Sequence, residues 1–154
     1  MHFYPQKDGR TSRNIRKELI TYLRSLNITA DELLITGDYR HAGYQKKEQN
    51  DIDAVVKFIK DIANAVNITE VKHIHLVPGN HDRDREKKDV HKMTSIRKKY
   101  DPANGGFESA DLEFMLQRFE YFWMVCDTLF GPETYWKDKS LHTYRVVGDS
   151  VFLY

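Results

Sequence analysis

The sequence predicts an α/β fold built around one strand–helix–strand unit, and three stretches predict it. Glu32–Asp38, ELLITGD, is a short apolar run that ends in glycine and a carboxylate. Glu70–Asp82, EVKHIHLVPGNHD, is a second apolar run, stopped by Pro78-Gly79 and followed by Asn80, His81 and Asp82. Between them Lys46–Val66 repeats apolar residues at helical spacing. Two strands joined by such a helix lie parallel in one sheet. Their polar ends then meet at its carboxyl edge, where open α/β sheets bind ligands.

Each element follows from its own pattern. Ser12–Leu26 is an amphipathic helix, with Ile15, Leu19, Tyr22, Leu23 and Leu26 on one face and Ser12 or Asn14 able to cap it. Leu33–Thr36 is the first strand. The helix Lys46–Val66 carries Ile52, Val55, Val56, Ile59, Ile62, Ala63 and Val66 on its inner face, and Asn67 stops it. Val71–Val77 is the second strand. His73 and His75 alternate along it, so both side chains take one side. Two histidines so spaced can bind a metal, but they precede the strand end, and packed or hydrogen-bonded structural roles fit them better.

Downstream, Arg83–Tyr100 is rich in lysine and arginine, as a solvated helix face usually is. Asp101–Ala110 is a Pro/Gly/Asn loop. A second strong helix follows, with Leu112, Met115, Leu116, Phe119, Phe122, Trp123, Cys126 and Phe130 in register, and Gly131-Pro132 ends it. So aromatic a helix serves as core or as a cap over the site. Leu141–Val147 and Ser150–Tyr154 flank Gly148-Asp149 as a hairpin.

Composition narrows the function classes. The 154 residues make one domain or part of one, and 40% hydrophobic content suffices for a core. Lys+Arg of 24 against Asp+Glu of 23 produces no global field for nucleic acid or anionic lipid. Cys126 cannot form an internal disulfide and sits in an apolar helix pattern, as a small core residue does. No run of about 18 apolar residues and no signal-peptide pattern occurs, so the expectation is a soluble cytoplasmic protein.

The polar residues at the strand ends carry the chemistry. Asn80, His81 and Asp82 offer a neutral oxygen ligand, a proton carrier and a carboxylate in succession. Taken singly, each is an ordinary turn residue. Asp38 is followed by Tyr39, Arg40 and His41, which places a carboxylate beside groups suited to an anion. Arg40 can clamp phosphate through a bidentate fork, and His41 can donate to a phosphoryl oxygen. Arg85 leaves the same loop and can reach a substrate phosphate.

The pair Gly37-Asp38 and Gly79-Asn80-His81-Asp82, separated by one helix, resembles the calcineurin-like metallophosphoesterase family. The resemblance implies a four-layer αββα sandwich with βαβ units, of which residues 1–154 form a single incomplete domain, truncated at both ends, with residues 83–135 as cap or insert helices. It implies two divalent ions, manganese, iron or zinc. Asp38 bridges them, His2 helps to hold the first and Asn80 the second. His81 is the acid that protonates or stabilises the leaving oxygen, and Asp82 orients the loop behind it. The family opens with Asp-x-His, whereas here Met1 stands directly before His2, so the aspartate is expected upstream. Further metal-binding histidines are expected beyond Tyr154.

The function so implied is metal-dependent hydrolysis of a phosphomonoester or phosphodiester, the substrate being a small molecule or a nucleic acid. Two other classes compete with it. One is a catalytically inactive binding or regulatory module on a degenerate phosphoesterase scaffold, and the other is a structural α/β domain whose GNHD loop is only a turn. An exposed sheet face also leaves room for a homo-oligomer.

Overall fold

The computed structural model describes residues 10–40, 48–84, 90–99, 106–131, 144–147 and 150–153. In chain order the elements are α1 (Arg10–Ser25), β1 (Leu33–Ile35), α2 (Gln49–Ala65), a 3-10 turn (Val71–His73), β2 (Ile74–Leu76), α3 (Val90–Lys99), α4 (Ser109–Gln117), α5 (Glu120–Phe130), β3 (Tyr144–Val147) and β4 (Ser150–Leu153). The strand–helix–strand unit is present: β1 and β2 pair in parallel, with Leu33 opposite Ile74 and Ile35 opposite Leu76. The Val77 N–H donates to the Ile35 carbonyl at 3.1 Å, which carries the pairing up to the two turns. β3 and β4 form the expected antiparallel hairpin, Tyr144 opposite Leu153 and Val147 opposite Ser150.

α2 is the spine of the core. Its Ile52, Val55, Val56, Ile59 and Ala63 are buried and pack with Tyr121, Phe122, Val125, Cys126 and Leu129 of α5 and with Ile74 and Leu76 of β2. Burying side chains of this size contributes about 1.5–3 kcal/mol each. All three residues of β2 are buried, as expected of a parallel strand covered on both faces. α2 ends at Ala65, and Asn67 follows at φ 60, the left-handed conformation that closes a helix. α1 packs on α2 through Ile20 and Leu23, while Ile15, Tyr22 and Leu26 of its expected inner face stay largely exposed.

Two expectations from the sequence change. The second strand starts at Ile74 rather than Val71, because Val71–His73 form a 3-10 turn closed by the His73 N–H on the Glu70 carbonyl. The aromatic helix is also two helices, broken at Arg118 and Phe119. There the Arg118 and Phe119 amides bond the carbonyls three residues back, and the Trp123 indole donates to the Leu116 carbonyl at 3.0 Å. Side-chain periodicity runs straight through this break, so the apolar pattern did not mark it. α5 belongs to the core, and Cys126 is fully buried in it. Among the described residues, no helix is long and apolar enough to cross a membrane.

Candidate active site

β1 and β2 deliver two turns side by side. Gly37 has φ +87, and a Cβ on it would lie 2.1 Å from the Gly79 nitrogen. A Cβ on Gly79 would lie 2.3 Å from the Asp38 Oδ1 and 2.4 Å from the Asp38 nitrogen. Backbone therefore touches backbone here, and only glycine fits at either position. Asp38 itself adopts φ 62, a region Asp enters more readily than most residues but still at a cost.

Hydrogen bonds explain why that conformation holds. The Asp38 Oδ1 accepts the His81 backbone N–H at 3.0 Å. In return the Asp82 Oδ2 accepts the Asp38 N–H at 2.8 Å and the Gly79 N–H at 2.7 Å, and its Oδ1 accepts the Arg40 N–H at 3.2 Å. Each turn is thus held by the carboxylate of the other. Asp82 is fully buried, and burial pushes its carboxyl up from the usual range, outweighing the downward pull of the backbone N–H donors from Gly79, Asp38 and Arg40. Tyr39 packs beneath, its hydroxyl donating to the Ile35 carbonyl at 3.0 Å, and burial raises its phenol as well.

The positions of the predicted residues divide into three groups. Asp38, Asn80 and His81 come together at the carboxyl edge, with Asn80 exposed and His81 half-buried. Asp82 lies behind them. Arg40, expected as a phosphate clamp, is buried. It is 2% exposed, its guanidinium pairs with Asp84 and donates to the Asp82 carbonyl at 3.2 Å, and it lies 4.9 Å from the Tyr121 ring centre. His2, His41 and Arg85 lie outside the described residues. The basic run is partly engaged: Lys92 Nζ sits 3.7 Å from the Phe114 ring centre and Lys99 lies 3.9 Å from Asp111.

Sequence reasoning missed Asp84, Tyr121 and the carbonyl of Arg118, which accepts the Asp84 N–H at 2.7 Å. That carbonyl lies just before α5 and is open to the loop because α4 and α5 are separate helices. No local pattern signals it. His73 and His75 both meet Glu32 at the opposite end of the strands, at 3.0 Å and 2.5 Å. Burial pulls the Glu32 carboxyl up, but the hydrogen bonds and charges of His73 and His75 outweigh it and hold the group below its usual range.

The Gly-Asp and Gly-Asn-His-Asp turns interlock at the carboxyl edge of a parallel pair, and the chain matches the family described as calcineurin-like phosphoesterase over residues 11–149. The chain belongs to the calcineurin-like phosphoesterase family. Searches of curated proteins and of solved structures returned no match. Calcineurin-like phosphoesterases are metal-dependent hydrolases of phosphate esters, generally with two metal ions.

The donor set fits such a centre in type. A carboxylate from Asp38 and an amide oxygen from Asn80, with an imidazole beside them on His81, suit manganese, iron or zinc without choosing among them. The close approach of Gly79 to Asp38 brings the two turns that carry these residues together. Among the described residues no group of three or more His, Cys, Asp or Glu is placed to hold a metal ion.

Proposed function

We propose that the protein hydrolyses a phosphomonoester or phosphodiester at the edge formed by Asp38, Asn80 and His81. The observation that carries this reading is the bond from the His81 backbone N–H to the Asp38 carboxylate, which joins the two motif turns at one point. Two divalent ions, when bound, would supply Lewis acidity toward the phosphoryl oxygens and an activated water at neutral pH. Asp38 and Asn80 would hold these ions, and His2 is proposed as a further ligand.

The remaining steps belong to the side chains. His81 spends its backbone N–H on Asp38, which fixes the start of its side chain beside the ligand carboxylate. From there the imidazole donates a proton to the leaving oxygen, or a hydrogen bond to the charge building on it. Asp82 touches no substrate. It holds the amides of Asp38, Gly79 and Arg40 and so orients both turns. His41 and Arg85 are proposed contacts for the phosphate. Specificity between monoester and diester rests with them and with the loops around them.

Calorimetric titration with Mn²⁺, run alongside hydrolysis of bis-p-nitrophenyl phosphate and p-nitrophenyl phosphate, tests the reading. Metal binding with turnover that His81→Asn abolishes supports it. A protein that binds Mn²⁺ and hydrolyses neither ester favours the inactive binding module, and one that binds no Mn²⁺ defeats the metal reading altogether.

A further inference from the structure

Arg40 is the least exposed cation among the described residues. Its side chain is 3% exposed and that of Asp84 is 16% exposed. Four contacts converge on it from the turn after β2 and from α5. Its backbone N–H donates to the Asp82 carboxylate, and its guanidinium donates to the Asp82 carbonyl and to Asp84. The guanidinium carbon also lies 4.9 Å from the ring centre of Tyr121, a fully buried residue of α5. The Asp84 N–H in turn donates to the Arg118 carbonyl, just before α5.

We propose that Arg40 is a positioning residue for the metal-binding turns, bolting the turn after β2 to the turn after β1 and seating both on α5. This rests on the metal-dependent reading above. Asp82 can orient Asp38 and Gly79 only if Asp82 itself is immobile, and its carboxylate is already committed to three backbone amides. Arg40 takes the other end of the same residue, its carbonyl, and ties it to a rigid helix. One guanidinium nitrogen, Nη2, reaches both oxygens, while the guanidinium carbon sits 4.9 Å from the Tyr121 ring centre. A lysine offers a point charge without the planar group that stacks on an aromatic ring.

Two variants separate positioning from simple stability. Arg40→Lys keeps the charge and loses the planar group beside Tyr121. The double change Arg40→Met with Asp84→Leu removes the ion pair as a unit, a replacement that folds tolerate well. The readouts are Mn²⁺ affinity by calorimetry and amide exchange by NMR. Expected are a fall in Mn²⁺ affinity of about 10-fold or more and faster exchange of the Asp38 and Gly79 amides, while the Ile59 and Val125 amides keep their protection. Mn²⁺ affinity within about twofold of wild type, with Asp38 and Gly79 still protected in a folded variant, overturns the proposal. Rapid exchange of those two amides in the wild-type protein overturns it without any variant. A wild-type protein that binds no Mn²⁺ but shows the exchange pattern sinks the metal reading and leaves the bolt between the turns standing.

Discussion

Asp38 and Asp82 hold each other's turns. The Asp38 N–H lies 2.8 Å from the Asp82 Oδ2, while the Asp38 carboxylate takes the amide of His81, the residue just before Asp82. The two positions are 44 residues apart in sequence. Replacing Asp82 by Asn turns one acceptor oxygen into a donor facing a backbone N–H. Hydrogen bonds to charged groups contribute about 1.5–3 kcal/mol each, so Asp82→Asn is expected to lower stability by about 1–3 kcal/mol in urea unfolding, and to weaken Mn²⁺ binding in parallel.

The glycine contact makes a sharper demand. In Gly79→Ala the new Cβ falls within 2.3 Å of the Asp38 carboxylate and 2.4 Å of the Asp38 nitrogen, neither of which can move without breaking the lacing. In Gly37→Ala it falls on the Gly79 nitrogen, at a φ that alanine resists. Both variants should melt lower than wild type and bind Mn²⁺ weakly. A Gly79→Ala protein with wild-type melting and metal affinity would mean that the turns do not touch.

His81 is proposed as a proton donor rather than a ligand, and the two roles differ in what its removal costs. His81→Ala should lower turnover of an activated phosphodiester by about 10²–10⁴-fold, the span of general acid catalysis. Mn²⁺ affinity should stay close to wild type. Parallel loss of affinity would move His81 into the ligand shell.

Glu32 ties the entry of β1 to His73 and His75 and titrates below the usual carboxylate range. A carboxyl whose pKa is depressed on folding adds stability above its unfolded pKa of about 4.3, and loses it as pH falls through the lower folded value. The stability gap between wild type and Glu32→Gln should therefore be widest above about pH 5 and shrink steadily below about pH 4. Unfolding midpoints measured across that range test the sign. A gap that widens in acid would refute the pairing.

Phe122 and Tyr121 are fully enclosed where α5 meets α2. Truncating a buried phenylalanine costs about 3–5 kcal/mol, and Phe122→Ala is expected to fall in that range by thermal or urea unfolding. Because Phe122 also packs against Tyr39, with ring centres 5.8 Å apart, the same change should loosen the turn that carries Asp38.

Much of this was written locally. The strand–helix–strand unit could be read because β1, α2 and β2 each carry their own period, and periodicity depends only on residues a few positions apart. Asp38, Asn80 and His81 were legible for a related reason: a strand that stops at glycine and then presents ligand-type side chains is a local event. The resemblance of those two short motifs to a known family rested on the same residues. The break between α4 and α5 escaped detection because both helices bury one continuous apolar stripe, and what separates them is a carbonyl needed by Asp84.

The sequence by itself determined the α/β class, the strand–helix–strand order and the residue types at the carboxyl edge of the sheet. It could not determine what each polar side chain faces. Arg40 is the clearest case, since an arginine next to a motif aspartate suits a phosphate as well as it suits a buried carboxylate. Only the packing of α5, more than eighty residues further along the chain, closes over it and gives it Asp84 and Tyr121 as partners. His73 and His75 are the second case: tertiary contact with Glu32 draws them to the far end of the strands. Local pattern sets where the backbone goes. The partner of a charge is set by which surfaces are desolvated together, and that is decided when the helices close on the sheet.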